Sequence, residues 1–414
     1  MADHHPNNDG HWPRAIILVD MNAFFASIEQ QDHPEWQGRP IAITNGAQGS
    51  CIITCSYEAR AYGIHTGMRL KAARRLCPEL IQVPSRPERY AAVSSNIMDA
   101  LSTLTPDVEV FSVDEAFLDV TRCQRLLGPP EVIARRVQAT VFEASGLLCS
   151  VGVSGDKTTA KYAAKLDKPN GLTLIPPWAA EAALRDVPVT ELCGIGRGVG
   201  AFLARHGVRT CGQMKHLPIS VLARRFGNPG RRFWYMAQGR DPDRVRSNVA
   251  APQSVGHGKV VPPGSRDREL LLTYLLHMGE KVAARLRRHR MRASRFFIGL
   301  RLRDRWLGET LQRPAPTNDG RDIHTLSRAV LTRRWHGEGV FQVQVTALDP
   351  RQGCEQGDLF AAKSGHHDRV NGVMDRVNAQ YGEFTLMPAR LLNRSAMPNV
   401  IAPSWQPRGH RKTL

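Results

Sequence analysis

V-E-V-F-S-V-D-E-A-F-L-D-V, residues 108–120, alternates apolar with polar positions, passes an acidic pair, and turns apolar again. Val108, Val110 and Ser112 alternate with polar or acidic neighbours, and Phe117-Leu118-Asp119-Val120 follows at hairpin distance, so the stretch predicts two strands joined at Asp114-Glu115. Upstream, Ile16-Ile17-Leu18-Val19 is a continuous apolar run of the kind found in strands buried on both faces, and it delivers Asp20 at its C-terminal end. Between them, residues 86–104 carry Tyr90, Val93, Ile97, Ala100, Leu101 and Leu104 at helical spacing. Downstream, Glu131 to Ser145 reads as a helix, Leu147 to Val153 as a buried strand and Lys157 to Leu166 as a further helix. Strand, helix, hairpin, helix, strand is the order of a split βαβ, ferredoxin-like sheet, with residues 26–80 as a small inserted subdomain.

Beyond Pro176-Pro177 the texture changes. Residues 178–247 read as short helices separated by glycine-containing turns, and Ser247 to Pro252 as a linker. Asp267 to Arg290 then reads as a long helix, and Phe296 to Arg305, Leu307 to Gln312 and Val340 to Leu348 as strands, which makes a second α+β domain near 252–349. One more helix is expected over Asp368 to Gln380, before a basic end, R-G-H-R-K-T-L. The fold class is therefore α+β and multidomain, in keeping with two to four domains for 414 residues at roughly 150 per domain.

Fifty-six Lys and Arg against 38 Asp and Glu leave a formal charge of +18, which calls for a polyanionic partner. No segment joins a basic face to a strong apolar one, so nucleic acid is a better partner than a membrane surface. The apolar runs are far shorter than the ~20 residues of a membrane helix, and M-A-D-H-H-P-N-N-D-G lacks the pattern of a signal peptide. Eight cysteines without a C-x-x-C pair point to a reduced, cytoplasmic protein rather than a structural zinc site.

The chemistry centres on three carboxylates. In a split βαβ sheet the first strand neighbours the hairpin, so Asp20, Asp114 and Glu115 can meet at one edge. Clustered carboxylates repel unless a cation sits among them. Two divalent ions held this way activate an attacking oxygen and stabilise a leaving one, the arrangement of phosphoryl transfer. Taken by spacing alone, the same residues read equally as solvated turn carboxylates.

Four motifs in fixed order separate these readings: D-M-N-A-F-F-A-S at 20–27, C-S-Y-E-A-R-A-Y-G-I at 55–64, S-V-D-E-A-F-L-D at 112–119 and A-K-L-D-K-P-N-G at 164–171. Together they resemble the Y-family translesion DNA polymerases, most of all the bacterial DNA polymerase IV (DinB) branch, from about Ile16 to Phe360. The resemblance implies a palm (15–25 and 81–176), fingers (26–80), a helix-hairpin-helix thumb (177–246), a linker (247–252) and a little finger (253–355), with a lead at 1–14 and an extension at 361–414.

It also implies roles. Asp20, Asp114 and Glu115 would be catalytic and would hold two Mg2+ ions, with the Met21 carbonyl as an additional ligand. Phe24, Phe25, Thr54, Tyr57, Arg60 and Lys168 would line the site of the incoming deoxynucleoside triphosphate. Arg60 suits phosphate through paired hydrogen bonds and Lys168 as a point charge. Phe25 would be the steric gate under the sugar; Phe24, by its pattern, is core. Asn22 departs from the branch, standing where many members carry a second Asp.

E-L-C-G-I-G-R-G-V-G at 191–200 resembles a helix-hairpin-helix, in which Gly194 and Gly196 would let backbone amides meet a DNA phosphate. Residues 281–305 hold ten Lys or Arg against one Asp. Arg301, Arg303 and Arg305 are expected on one strand face, against the backbone of primer–template DNA. Q-G-D-L-F at 356–360 resembles the peptide that binds a sliding clamp, through Gln356, Leu359 and Phe360. The expected protein is a monomeric DNA-directed DNA polymerase performing low-fidelity translesion synthesis, with no segment left for a proofreading exonuclease. Two rivals keep the same fold: a UmuC-type subunit that needs activators, and a catalytically inactive, clamp-binding accessory protein (ImuB-like).

Overall fold

A computed structural model describes residues 11–47, 49–248, 251–352 and 365–394. They fall into two compact units, one within 1–249 and one within 250–396.

The first unit is built around β1 (Ile16–Met21), whose Ile16, Ile17, Leu18 and Val19 are fully buried. Both faces must then be covered. The remaining elements of this layer are α1 (Phe24–Asp32), α4 (Pro87–Leu101), β5 (Val108–Val110), β6 (Glu115–Asp119), α5 (Gln124–Leu127), α6 (Pro130–Ser145), β7 (Cys149–Ser154), α7 (Lys157–Leu166) and β8 (Leu172–Ile175). Strand order is β5-β6-β1-β7-β8, with β1 antiparallel to both β6 and β7. Ile17, Val19, Val151 and Val153 pack with Ile97, Leu101, Ile133 and Val137 of α4 and α6 on one face. Ile16, Leu18 and Phe117 meet Ala160 and Ala164 of α7 on the other. At Gly152 a Cβ would lie 2.1 Å from the Ala160 carbonyl oxygen, so glycine is what lets α7 settle onto β7.

The hairpin turns earlier than its pattern suggests. Phe111 and Ser112 both donate backbone N–H bonds to the Glu115 carbonyl, so residues 111–114 form the turn and Glu115 is already inside the ladder.

The insertion carries its own three-stranded sheet, β3-β2-β4, from β2 (Ile41–Thr44), β3 (Ile52–Cys55) and β4 (Ile81–Pro84), with α2 (Tyr57–Ala61) and α3 (Leu70–Leu76). The expected boundary at residue 80 differs from this pairing: β4 runs parallel to β2, so residues 81–84 supply the third strand. Short helices follow, α8 (Ala180–Leu184), α9 (Arg197–Arg205), α10 (Ile219–Phe226) and α11 (Asn228–Met236), around Leu184, Leu192, Ile195, Leu203, Leu222 and Met236.

The second unit comprises β9 (Ser254–Ser265), α12 (Arg268–Arg288), β10 (Met291–Arg301), β11 (Trp306–Thr317), α13 (Gly320–Arg334), β12 (Val340–Leu348) and α14 (Gly365–Tyr381). Its sheet runs β11-β10-β12-β9, and Leu275, Val282 and Leu286 of α12 pack on Phe296, Ile298, Leu300 and Val345. Two of these elements are not expected from the sequence pattern. β9 is an edge strand rich in Gly and Pro, which only an edge tolerates. α13 spaces its buried Ile323, Ser327, Val330 and Leu331 along one narrow stripe of an otherwise polar segment. The three arginines do not share the expected strand face: β10 ends at Arg301, and Arg303 and Arg305 lie in the exposed turn closed by the Leu302 N–H donating to the Arg305 carbonyl.

Candidate active site

Asp20 is the first side chain of β1 to leave the core. In the ladder it stands directly opposite Glu115 of β6 on one side and Ser150 of β7 on the other. Directly opposed residues of an antiparallel pair hold their Cβ atoms ~4.5–5.5 Å apart, so register alone sets two carboxylates side by side. Asp114 precedes Glu115 in the turn. Its carbonyl accepts the Met21 N–H at 2.9 Å, and its carboxylate accepts the Ser112 hydroxyl at 2.5 Å. Burial pushes the Asp114 carboxyl above its usual range, and the charge of Asp20 adds to this. Burial likewise lifts Glu115 to about 7, against the opposing pull of Lys161.

Two ammonium groups serve these acids. Lys168 lies 2.6 Å from Asp20 Oδ2, and Lys161 binds Glu115 Oε1. The motifs alone do not single out Lys161. Its signal is the K-x-x-x-K spacing with Lys157, which puts both on one stripe of α7, facing the hairpin. Lys157 indeed contacts Glu109 of β5 through both carboxylate oxygens, at 2.8 Å each. Among the described residues no three His, Cys, Asp or Glu side chains are gathered so as to hold a metal ion as they stand. The backbone brings the three carboxylates to one sheet end, while the side chains of Asp20 and Glu115 turn to lysines. The donor set nonetheless fits a hard divalent cation: all ligands are oxygens, and two carboxylates are held above their normal range by burial and mutual repulsion.

On the insertion, Ser56 caps α2 by accepting the Ala59 N–H, which fixes Tyr57 and Arg60 on the first turn. The Arg60 guanidinium lies over the Tyr57 ring at 4.6 Å. Tyr57 Oη is buried with no hydrogen-bond partner among the described residues, a cost of about 1–3 kcal/mol that a ligand acceptor would remove. Thr54 is half-buried on β3, opposite Ile43. Phe24 and Phe25 are both buried on α1, and Phe25 stacks on Tyr90.

Gly194 takes a φ of +97°, open to glycine at little cost, and Gly196 caps α9, whose first residues lie exposed. Arg301, Arg303 and Arg305 belong to the second unit. Gln356, Leu359 and Phe360 lie outside the described residues. No described helix is long and apolar enough to cross a membrane.

Residues 19–165 match the impB/mucB/samB family, and residues 252–359 match the C-terminal domain of that family. The chain is 34% identical over 377 residues to a DNA polymerase IV of Moorella thermoacetica, covering 89% of this chain and 94% of that one. It is 39% identical over 281 residues to a DNA polymerase IV of Alkalilimnicola ehrlichii, covering 66% and 78% respectively. Among solved structures, a Y-family DNA polymerase chimera superposes with a TM-score of 0.71 at 26% identity, over 81% of this chain and 98% of that one.

Proposed function

The chain belongs to the impB/mucB/samB family and is a DNA-directed DNA polymerase of the Y family; from that premise we propose that it performs low-fidelity translesion synthesis by two-metal nucleotidyl transfer, without proofreading. The observation that carries this reading is the pairing of Asp20 with Glu115 across the ladder, with Asp114 one residue away.

Asp20, Asp114, Glu115 and the Met21 carbonyl are the groups to hold two Mg2+ ions, which when bound supply positive charge to the attacking 3′-oxygen and the leaving pyrophosphate. Lys161 and Lys168 keep the carboxylates oriented beforehand. Tyr57, Arg60 and Lys168 grip the triphosphate, the orphaned phenol of Tyr57 gaining the acceptor it lacks. Thr54 lines the same site, Phe25 lies under the sugar, and Phe24 backs it. The α9 N-terminus beside Gly194 and Gly196, Arg301 at the end of β10, and Arg303 and Arg305 in the turn beyond it hold the duplex by its phosphates. Gln356, Leu359 and Phe360 tether this single chain to a sliding clamp in the cytoplasm, raising its concentration at primer ends without altering the chemistry.

Primer extension by the purified chain, on intact and lesion-bearing templates with and without Mg2+, tests the reading. Extension past lesions that needs the ion, with no trimming of a mismatched 3′ end, supports it. Synthesis only after an activator is added makes the chain a UmuC-type subunit, and DNA binding without any synthesis makes it an accessory protein.

A further inference from the structure

Asn22 is the position at which the sequence departs from the motif its branch implies, and no step of the proposed chemistry uses it. It occupies the turn between β1 and α1 and is 5% exposed. Its backbone is fixed at two points: its N–H donates to the Leu148 carbonyl at 3.0 Å, and its carbonyl accepts the Ser27 hydroxyl at 2.6 Å. The side-chain amide is used from both ends. Oδ1 accepts the backbone N–H of Asn170 at 2.8 Å, and Nδ2 donates to Ser150 Oγ at 2.9 Å. A backbone N–H can only donate, so the atom facing Asn170 must be the oxygen, which leaves the amide nitrogen for Ser150.

Asn170 belongs to D-K-P-N-G, the loop at 167–171 that carries Lys168. Its φ of +58° is left-handed, a conformation that asparagine adopts more readily than other non-glycine residues and that still costs some strain. The next residue is equally constrained. A Cβ on Gly171 would lie 1.7 Å from the Asp167 carbonyl oxygen, and the Gly171 carbonyl accepts the Val151 N–H at 2.9 Å and Gln138 Nε2 at 3.3 Å. The far end of β1 therefore grips the loop twice: Asp20 receives the Lys168 ammonium, and Asn22, two residues on, receives the loop's backbone.

We propose that Asn22 is the positioning residue of the 167–171 loop, fixing the backbone from which Lys168 reaches the triphosphate of the incoming nucleotide. The proposal rests on the assignment of Lys168 to that triphosphate. A lysine head on a flexible four-carbon stem binds a phosphate well only if its backbone does not also wander. Aspartate at position 22 would accept the Asn170 N–H equally, with the Ser150 hydroxyl turning to donate, but would add a fourth carboxylate to a sheet end that already holds three. The amide does the same holding while neutral.

Single-nucleotide incorporation by the full chain tests this, with Asn22→Leu, Asn22→Asp, Lys168→Ala and the double variant Asn22→Leu/Lys168→Ala. Asn22→Leu removes both side-chain bonds, of which the one to the Asn170 N–H holds the loop; its loss should raise KM for the deoxynucleoside triphosphate about tenfold and change kcat by less than about twofold. Asn22→Asp should restore KM to near the native value. The double variant should be no worse than Lys168→Ala, since both act through one ammonium group. If Asn22→Leu fails to fold, Asn22→Ala, which admits water to the Asn170 N–H, should show the same rise. A fall in kcat at unchanged KM, failure of Asn22→Asp to rescue, or effects that multiply in the double variant would overturn the proposal. If Lys168→Ala raises KM and the Asn22 variants do not, the positioning role alone falls. If Lys168→Ala leaves KM unchanged, the triphosphate assignment falls, and the proposal with it.

Discussion

Phe25 and Tyr90 stack face to face, ring centroids 4.1 Å apart and planes 11° from parallel. Tyr90 is in turn pinned by its hydroxyl, which donates to Glu29 Oε1 at 2.7 Å, and Arg86 clamps the same carboxylate. Phe25 is thus one face of a rigid aromatic pair rather than a loose core ring. A rigid ring is what exclusion by shape needs, because a flexible one would yield to a 2′-hydroxyl. Phe25→Val should raise ribonucleotide incorporation by a large factor while deoxynucleotide incorporation falls only modestly. Comparison of the two kcat/KM values checks this, alongside a melting curve to confirm folding. Equal losses for both sugars in a folded variant would return Phe25 to the core.

What is legible in the sequence, and what is not, follows from the range of the forces involved. β1 and α7 are readable because apolar runs and helical spacing are local: α7 spans Lys157–Leu166, as its pattern predicts. The ladder neighbourhood of Asp20 and the hairpin follows from topology rules alone. Lys161 and Asn22 are not readable as site residues, because their roles depend on which strand a helix face or a turn meets. β9 is hidden because an edge strand need not be apolar, and the positions of Arg303 and Arg305 are hidden because the period of two runs on in the sequence past Arg301, where the strand ends in a turn. Tyr57 stands out as a candidate by its motif, but its missing partner is visible only in three dimensions.

Asp114 should be indispensable to synthesis and dispensable to DNA binding. Its side chain is oriented by the Ser112 hydroxyl and, among the described residues, makes no ion pair with a lysine such as Asp20 and Glu115 make. Asp114→Ala should slow extension by at least about 100-fold, the scale of removing a preorganised electrostatic interaction, with primer–template affinity near native. Near-normal extension would remove Asp114 from the catalytic set. A parallel loss of binding would mean that the turn had collapsed.

Arg301 projects from the end of β10, with its guanidinium 5.8 Å above the Trp306 ring, and Arg303 follows in the exposed turn. Arginines that neutralise phosphates release counterions and carry no sequence information. Replacing both with Ala should weaken binding on all sequences alike. The slope of log affinity against log salt should flatten by about 0.9 for each phosphate that is no longer neutralised. Titrations at several salt concentrations on two unrelated duplexes decide it, since a loss confined to one sequence would mean base readout.

Glu280 should give the second unit a pH-dependent stability. It lies 6% exposed on α12, with its carboxylate where a side chain at Gly320 would be: a Cβ there would meet Glu280 Oε1 at 2.1 Å. Burial raises it from 4.5 to about 7; Arg287 opposes the shift, while the charge of Asp319 adds to it. A raised carboxyl means that the folded chain keeps a proton which the unfolded chain has released. Between pH 4.5 and 7 the folded state binds more protons, so stability falls as pH rises through that window and levels off above it. At about 1.36 kcal/mol per unit, the loss is on the order of 3 kcal/mol. Glu280→Gln keeps the shape and carries no charge, so it should gain on the native chain as pH rises. Melting curves of both proteins at about pH 5 and about pH 8, either side of most of that window, isolate the effect, because every other titrating group is common to the pair. The Tm of Glu280→Gln relative to native should climb between the two pH values. A constant difference would show that Glu280 enters the folded state already ionised, compensated by Arg287 and Arg321 rather than held protonated by its burial.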